Sequence, residues 1–188
     1  MKVTDPFANQ LEYTNGWTQS VGEKTMKVTI ILTLIMCALL FLMIWAAAYF
    51  YPWNGLLKFF PRDIEEKARE HKPPFPAAPF FGWIIMVLCM LGFVGVILYG
   101  GWDGIQRGYT FPQFLVRFLI ILFGMKAFDI ICLDYFLITK TQFFQHYIPE
   151  TRGCAGYHSF GYNRKQQIRH CIGLLFCAFL TAWICSLL

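Results

Sequence analysis

The residues of this sequence with the clearest chemical potential are three charges inside an apolar run: Lys126, Asp129 and Asp134. At about 100° per residue on a straight α-helix, Asp129 lies about 60° to one side of Lys126 and Asp134 about 80° to the other. One ammonium is thereby flanked by two carboxylates on a broad face. A lone charge near the centre of a membrane helix costs about 2.5 to 3.5 kcal/mol, whereas a mutually hydrogen-bonded group of charges can stay ionised and meet something charged. The competing reading is a structural ion pair, because one i,i+3 Lys/Asp pair satisfies itself and Asp134 stands near the end of the run. Arg117, earlier in the run, points away from Lys126.

A second group lies between residues 140 and 169. His146 or His158 could serve as a base, Cys154 as a nucleophile and Glu150 as a carboxylate, while Arg152, Arg164 and Lys165 could meet an anionic headgroup or phosphate. Cys154 and His158 match no protease or metal spacing, so a solvated loop is the competing reading. His71 reads as a cation at a helix end and His170, beside Arg169, as an interfacial one. The seven cysteines are an odd number without CxxC or Cys/His metal spacing, and all but Cys154 fall in or beside apolar runs. They read as small hydrophobes, with neither a disulfide framework nor a metal site expected. The chain carries no P-loop, dinucleotide fingerprint, HExxH or GxSxG motif, and nothing names a cofactor.

The elements that must position these residues are membrane helices. A chain of 188 residues that is 57% hydrophobic and 14% charged needs an apolar solvent. Uncharged stretches at 28–53, 79–101 and 171–188 are each near or above the roughly 18 to 20 residues that cross a bilayer core. The charged run 113–139 is read as a fourth span, since its Phe, Leu and Ile would otherwise be stranded in water. The expected fold class is therefore all-α: a polytopic bundle of about four transmembrane helices over 28–188, preceded by an extramembrane amino tail over 1–27 without a strong helical pattern. The first run is too long, and starts too late, for a cleaved signal peptide.

Aromatic residues agree with these ends: Tyr49, Tyr51 and Trp53 close the first span, Phe80, Phe81 and Trp83 open the second, and Tyr99 and Trp102 close it. The first connection, 54–78, predicts a short helix over Pro61–His71 with i,i+4 pairs Asp63–Lys67 and Glu65–Arg69, stopped by the prolines that follow. The short second connection, 102–112, makes spans two and three antiparallel neighbours. The first and third connections hold ten Lys and Arg residues against four in the termini and second connection. The positive-inside rule then places both long connections in the cytoplasm, with a plasma-membrane location expected.

Three functions fit this pattern. The first is a small transporter or channel-like protein for a proton, ion or small charged solute, oligomeric because four helices are few to enclose a path. The second is a membrane enzyme acting on a lipid or amphiphile at the cytoplasmic face, and the third a non-catalytic subunit or scaffold. The charges tilt the choice slightly to the first. Expected partners are membrane lipids and a second copy or another membrane subunit, with no nucleic acid.

Overall fold

The computed structural model describes residues 6–50, 60–141, 143–159, 161 and 163–188, with side chains from residue 25 onward. Every regular element among them is a helix. In chain order they are α1 (Pro6–Phe50), the short α2 (Arg62–Ala68), α3 (Ala78–Gln106), and α4 (Phe111–Phe128), which runs on into a π-helical stretch, Asp129–Lys140. The short α5 (Phe143–Tyr147), 3₁₀ turns at Pro149–Thr151 and Ala155–His158, and α6 (Arg164–Leu187) complete the chain.

Three of these helices are long and apolar enough to cross a membrane: Thr25–Phe50 within α1, and α3 and α6 over their whole lengths. They expose Leu34, Leu88, Leu98, Phe176 and Leu187 outward, a surface suited to hydrocarbon. The fourth long segment, α4 with its π-helical extension, packs among them. α1 lies against both α3 and α4, and α4 against α6. Their shared core is Leu32 and Met36 of α1, Val96 of α3, Phe114, Phe118, Ile121 and Leu122 of α4, and Ala178 and Ala182 of α6. Small residues set the spacing: a Cβ on Gly124 would come within 2.6 Å of the Thr33 methyl, so this α1–α4 approach needs glycine.

Helix ends differ from expectation in two places. The tail continues α1 back to Pro6, since extending an existing helix needs no new nucleus. The tail's side chains, together with Tyr51, Trp53 and the first connection up to residue 59, lie outside the described residues. α3 runs beyond Gly101 through Gln106, because Asp103 is held within the helix by Arg107 one turn on, at 3.0 Å. α4 then starts cleanly: Gln113 Oε1 accepts the Thr110 N–H at 2.8 Å, and Pro112 occupies the first turn, where its missing N–H costs nothing.

The first and third connections meet at one end of the bundle as a single layer. Phe60 and Ile64 pack with Phe144, Cys154 and Tyr157 over Ala48 of α1. α2 forms within the stretch predicted for it, and Arg69 pairs with Glu65. Asp63, expected to face Lys67, instead accepts the Gly156 N–H at 2.8 Å. Gly156 has no room for a side chain, since a Cβ would lie 2.5 Å from an Asp63 carboxylate oxygen and 2.7 Å from Pro61. Gly156→Ala is expected to cost about 1 to 3 kcal/mol by overpacking. It should also speed limited proteolysis between residues 149 and 161; an unchanged cleavage rate would mean that this layer is held elsewhere.

Candidate functional site

Between that layer and the helices lies a cavity of about 300 Å³. One wall is apolar: Leu40, Met43 and Ile44 of α1, with Leu133, Ile138 and Phe144. The other is polar: Lys126, Asp129, Asp134 and Thr139 of α4 and its π-helical extension, facing Asn163 just before α6 and Gln166, Gln167 and His170 within it. Gly156, Tyr157, Ser159 and Gly161 of the third connection close it. The cavity therefore joins the charged helix face to the long connection.

The π-helical stretch builds the polar wall. Bonding from i to i+5 widens the turn, so residues five apart share a face. Asp129, Asp134 and Thr139 follow that spacing, as do Leu133 and Ile138, and all five line the cavity. On a continuing α-helix Asp129 and Asp134 would instead diverge by about 140°. The wide turns are tied by Thr141 N–H donating to the Phe136 carbonyl at 2.9 Å and the Thr139 hydroxyl donating to the Asp134 carbonyl at 2.9 Å. Lys126, almost fully buried, donates to Asp129 at 2.5 Å. Asp134 accepts from the Gln167 amide at 2.7 Å, which ties the π-helical stretch to α6. All three charges singled out in the sequence thus meet at one cavity, with each carboxylate bound to a different partner.

The six candidates of the third connection are placed otherwise. His146, Glu150, Arg152, His158 and Arg164 are exposed, Cys154 is buried, and none of the six lines the cavity. The Cys154 thiol turns toward the Asp63 backbone carbonyl, 3.5 Å away, and Arg152 reaches the Gln145 carbonyl at 3.3 Å. Cys154, Arg152 and Glu150 thereby hold the layer rather than the cavity. A water-soluble maleimide is expected to leave Cys154 unlabelled in the folded protein and to label it on denaturation; rapid native labelling would restore it as a reactive thiol.

Burial pushes the Tyr157 phenol up to about 12, so it remains a hydrogen-bonding hydroxyl, 2.8 Å from that of Thr151. His71 and Glu150 join the two connections at 2.9 Å. Burial alone would raise the Glu150 carboxyl, but a backbone hydrogen bond and the His71 ring outweigh it and hold it below the usual 4.5. A carboxyl lowered by folding stabilises fully above its unfolded pKa, and that contribution is lost as pH falls through the lower folded value. Cleavage of the layer by an acid-active protease should therefore rise below about pH 4.5. Glu150→Gln should flatten this acid limb; an unaltered limb would assign it to other groups.

The residue that sequence reasoning missed is Asp103. It pairs with Arg117 at 2.8 Å, and Arg117, 2% exposed, also donates to the Gly100 carbonyl at 2.9 Å and the Tyr109 hydroxyl at 2.7 Å. The guanidinium lies 4.5 Å from the Tyr109 ring centroid. This cluster closes the end of the α3–α4 pair opposite the cavity, with the apolar core between. Its available signal was the lone acidic residue at the close of one apolar run facing the lone arginine at the start of the next. The short connection between those runs puts the two at the same end of the helix pair, and the packing of α3 on α4 brings them together.

These features define an all-helical protein with three helices fit for a membrane and a half-polar cavity at one end. No protein-family model matches the chain, and comparison with curated proteins and with solved structures returns no match.

Proposed function

We propose that this protein is a four-span membrane protein that takes the polar head of an amphiphile into the cavity between its helices and its two long connections. The observation that carries this reading is the two-sided lining: Leu40, Met43, Ile44 and Leu133 suit a hydrocarbon chain, and Lys126, Asp129, Asp134 and Gln166 suit a head. Lys126 lies about 22 Å along the helix axis from Phe111, near the far side of a hydrocarbon core of about 30 Å. The segment 111–140 then crosses as the fourth span, with Lys126, Asp129 and Asp134 toward that far side and Arg117 within the span. The excess of Lys and Arg in the two long connections supports their facing the cytoplasm.

Asp129 and Asp134 stand where they could exchange protons with a bound head, which keeps acid–base chemistry open to the site. Covalent catalysis through Cys154 has no such support. A transport path, the reading the charges first suggested, would have to pass Met36, Phe118, Ile121 and Leu122, which fill the bundle below the cavity. It stands second, and the oligomer it called for is not required.

Native mass spectrometry of the protein released from membranes tests the main reading. A bound amphiphile is expected in near one-to-one ratio, and Ser159→Trp, at the exposed rim, should displace it. Retention unaffected by Ser159→Trp would place the amphiphile elsewhere. Solute flux in proteoliposomes that Asp129→Asn abolishes would favour transport.

A further inference from the structure

We infer that the head received by the cavity carries a positively charged amine, with Asp134 as its counter-ion. The inference rests on the amphiphile reading above and narrows its ligand. It starts from the charges the cavity presents. Lys126 adds one positive charge while Asp129 and Asp134 add two negative ones, so these three groups leave a surplus of one carboxylate. Asp129 is neutralised by Lys126. Asp134 receives only an amide from Gln167, a dipole that orients a carboxylate without cancelling its charge.

Among the described residues, no Lys or Arg other than Lys126 lines the cavity. α1 contributes only apolar side chains, and the third connection contributes glycines, a serine and two aromatic rings. The cations that could have met a phosphate, Arg152, Arg164 and Lys165, stand exposed outside the lining, and Lys126 is already engaged. A half-buried carboxylate interacts with an added cation more strongly than one in bulk water, because the surrounding dielectric is lower. An ammonium also supplies the N–H donors that Asp134 can accept. An anionic head would meet a negative surface and leave the Asp134 carboxylate uncompensated.

The source of the amine could be a lipid or a soluble molecule, and chain length separates the two. Binding is measured in phosphatidylcholine nanodiscs, corrected with empty nanodiscs, for dodecylammonium, dodecyl phosphate, dodecanol and butylammonium. Dodecylammonium is expected to bind at least about tenfold more tightly than dodecanol or dodecyl phosphate. Asp134→Asn should remove that preference, weakening dodecylammonium binding far more than dodecanol binding. Lys126→Met, which adds to the negative surplus, should tighten dodecylammonium binding by about tenfold. The two variants pull in opposite directions, so a general loss of folding, checked by monodispersity, cannot mimic the pattern.

Butylammonium binding as tight as dodecylammonium would keep the amine and assign it to a soluble source; much weaker binding assigns it to an amphiphile. Dodecyl phosphate binding as well as or better than dodecylammonium overturns the inference and leaves the amphiphile reading standing. If no dodecyl compound saturates, both are overturned. Weaker dodecylammonium binding by folded Lys126→Met also overturns the amine assignment.

Discussion

Asp103→Asn is expected to lower the melting temperature of the protein by on the order of 10 °C, corresponding to about 3 to 5 kcal/mol for breaking a buried ion pair. The reason lies in what remains. Arg117 cannot lose its proton, and without the carboxylate it stays buried with neutral acceptors alone, among them the Gly100 carbonyl and the Tyr109 hydroxyl. The reverse change should be milder. Arg117→Met leaves Asp103 with Arg107, which is 30% exposed along its side chain and reaches water. Removing both partners, as Asp103→Leu with Arg117→Met, should recover most of the loss, because two apolar side chains can fill the same space without a charge to solvate. Thermal unfolding of the single and double variants closes the cycle and isolates the coupling. A loss below about 1 kcal/mol for Asp103→Asn would show that water reaches the pair and that it does little to hold α3 against α4. The cavity is at the other end of the bundle, so amphiphile binding below the melting temperature should not change in any of these variants.

Deleting Ile131 should abolish amphiphile binding, with a loss of at least about 30-fold, or 2 kcal/mol, while the helical content stays the same. Ile131 is exposed and lies outside the cavity, so its side chain is not what the deletion removes. What changes is the winding. A π-helical run of 12 residues is long for a geometry that usually appears as a single wide turn, and a shortened chain can return toward α-helical bonding. Asp134 and Thr139 then rotate away from Asp129, and the polar wall comes apart. Circular dichroism and binding in nanodiscs measure the two halves of this expectation. Full binding with the residue deleted would mean that the wide turns do not organise the cavity. Ile131→Ala, which keeps the residue count, should bind normally and serves as the control.

Much of the architecture was legible because membrane insertion is decided by local composition. A run such as 79–101 is apolar wherever it packs, and its helical form follows from the need to satisfy backbone groups without water. The short helix of the first connection was visible for a similar reason: Pro61 at its start and the Glu65–Arg69 pair are local features. The pairing of Lys126 with Asp129 was also local, an i,i+3 contact independent of the rest of the fold.

The sequence by itself therefore determined the all-helical class, three of the apolar helices, and the concentration of charge over 126–134. Only the tertiary structure decided that Asp129 and Asp134 share one wall, because that depends on a π-helical winding that composition does not announce. It also decided that the third connection packs against the first through Gly156 and Asp63. Cys154 consequently serves a covering layer, while Gly156, Gly161 and Ser159 reach the cavity. Asp103 became part of a buried pair for the same reason. Local propensity sets which segments are helices, but which side chains meet at sequence separations of 14 or 93 is set by how those helices and connections pack.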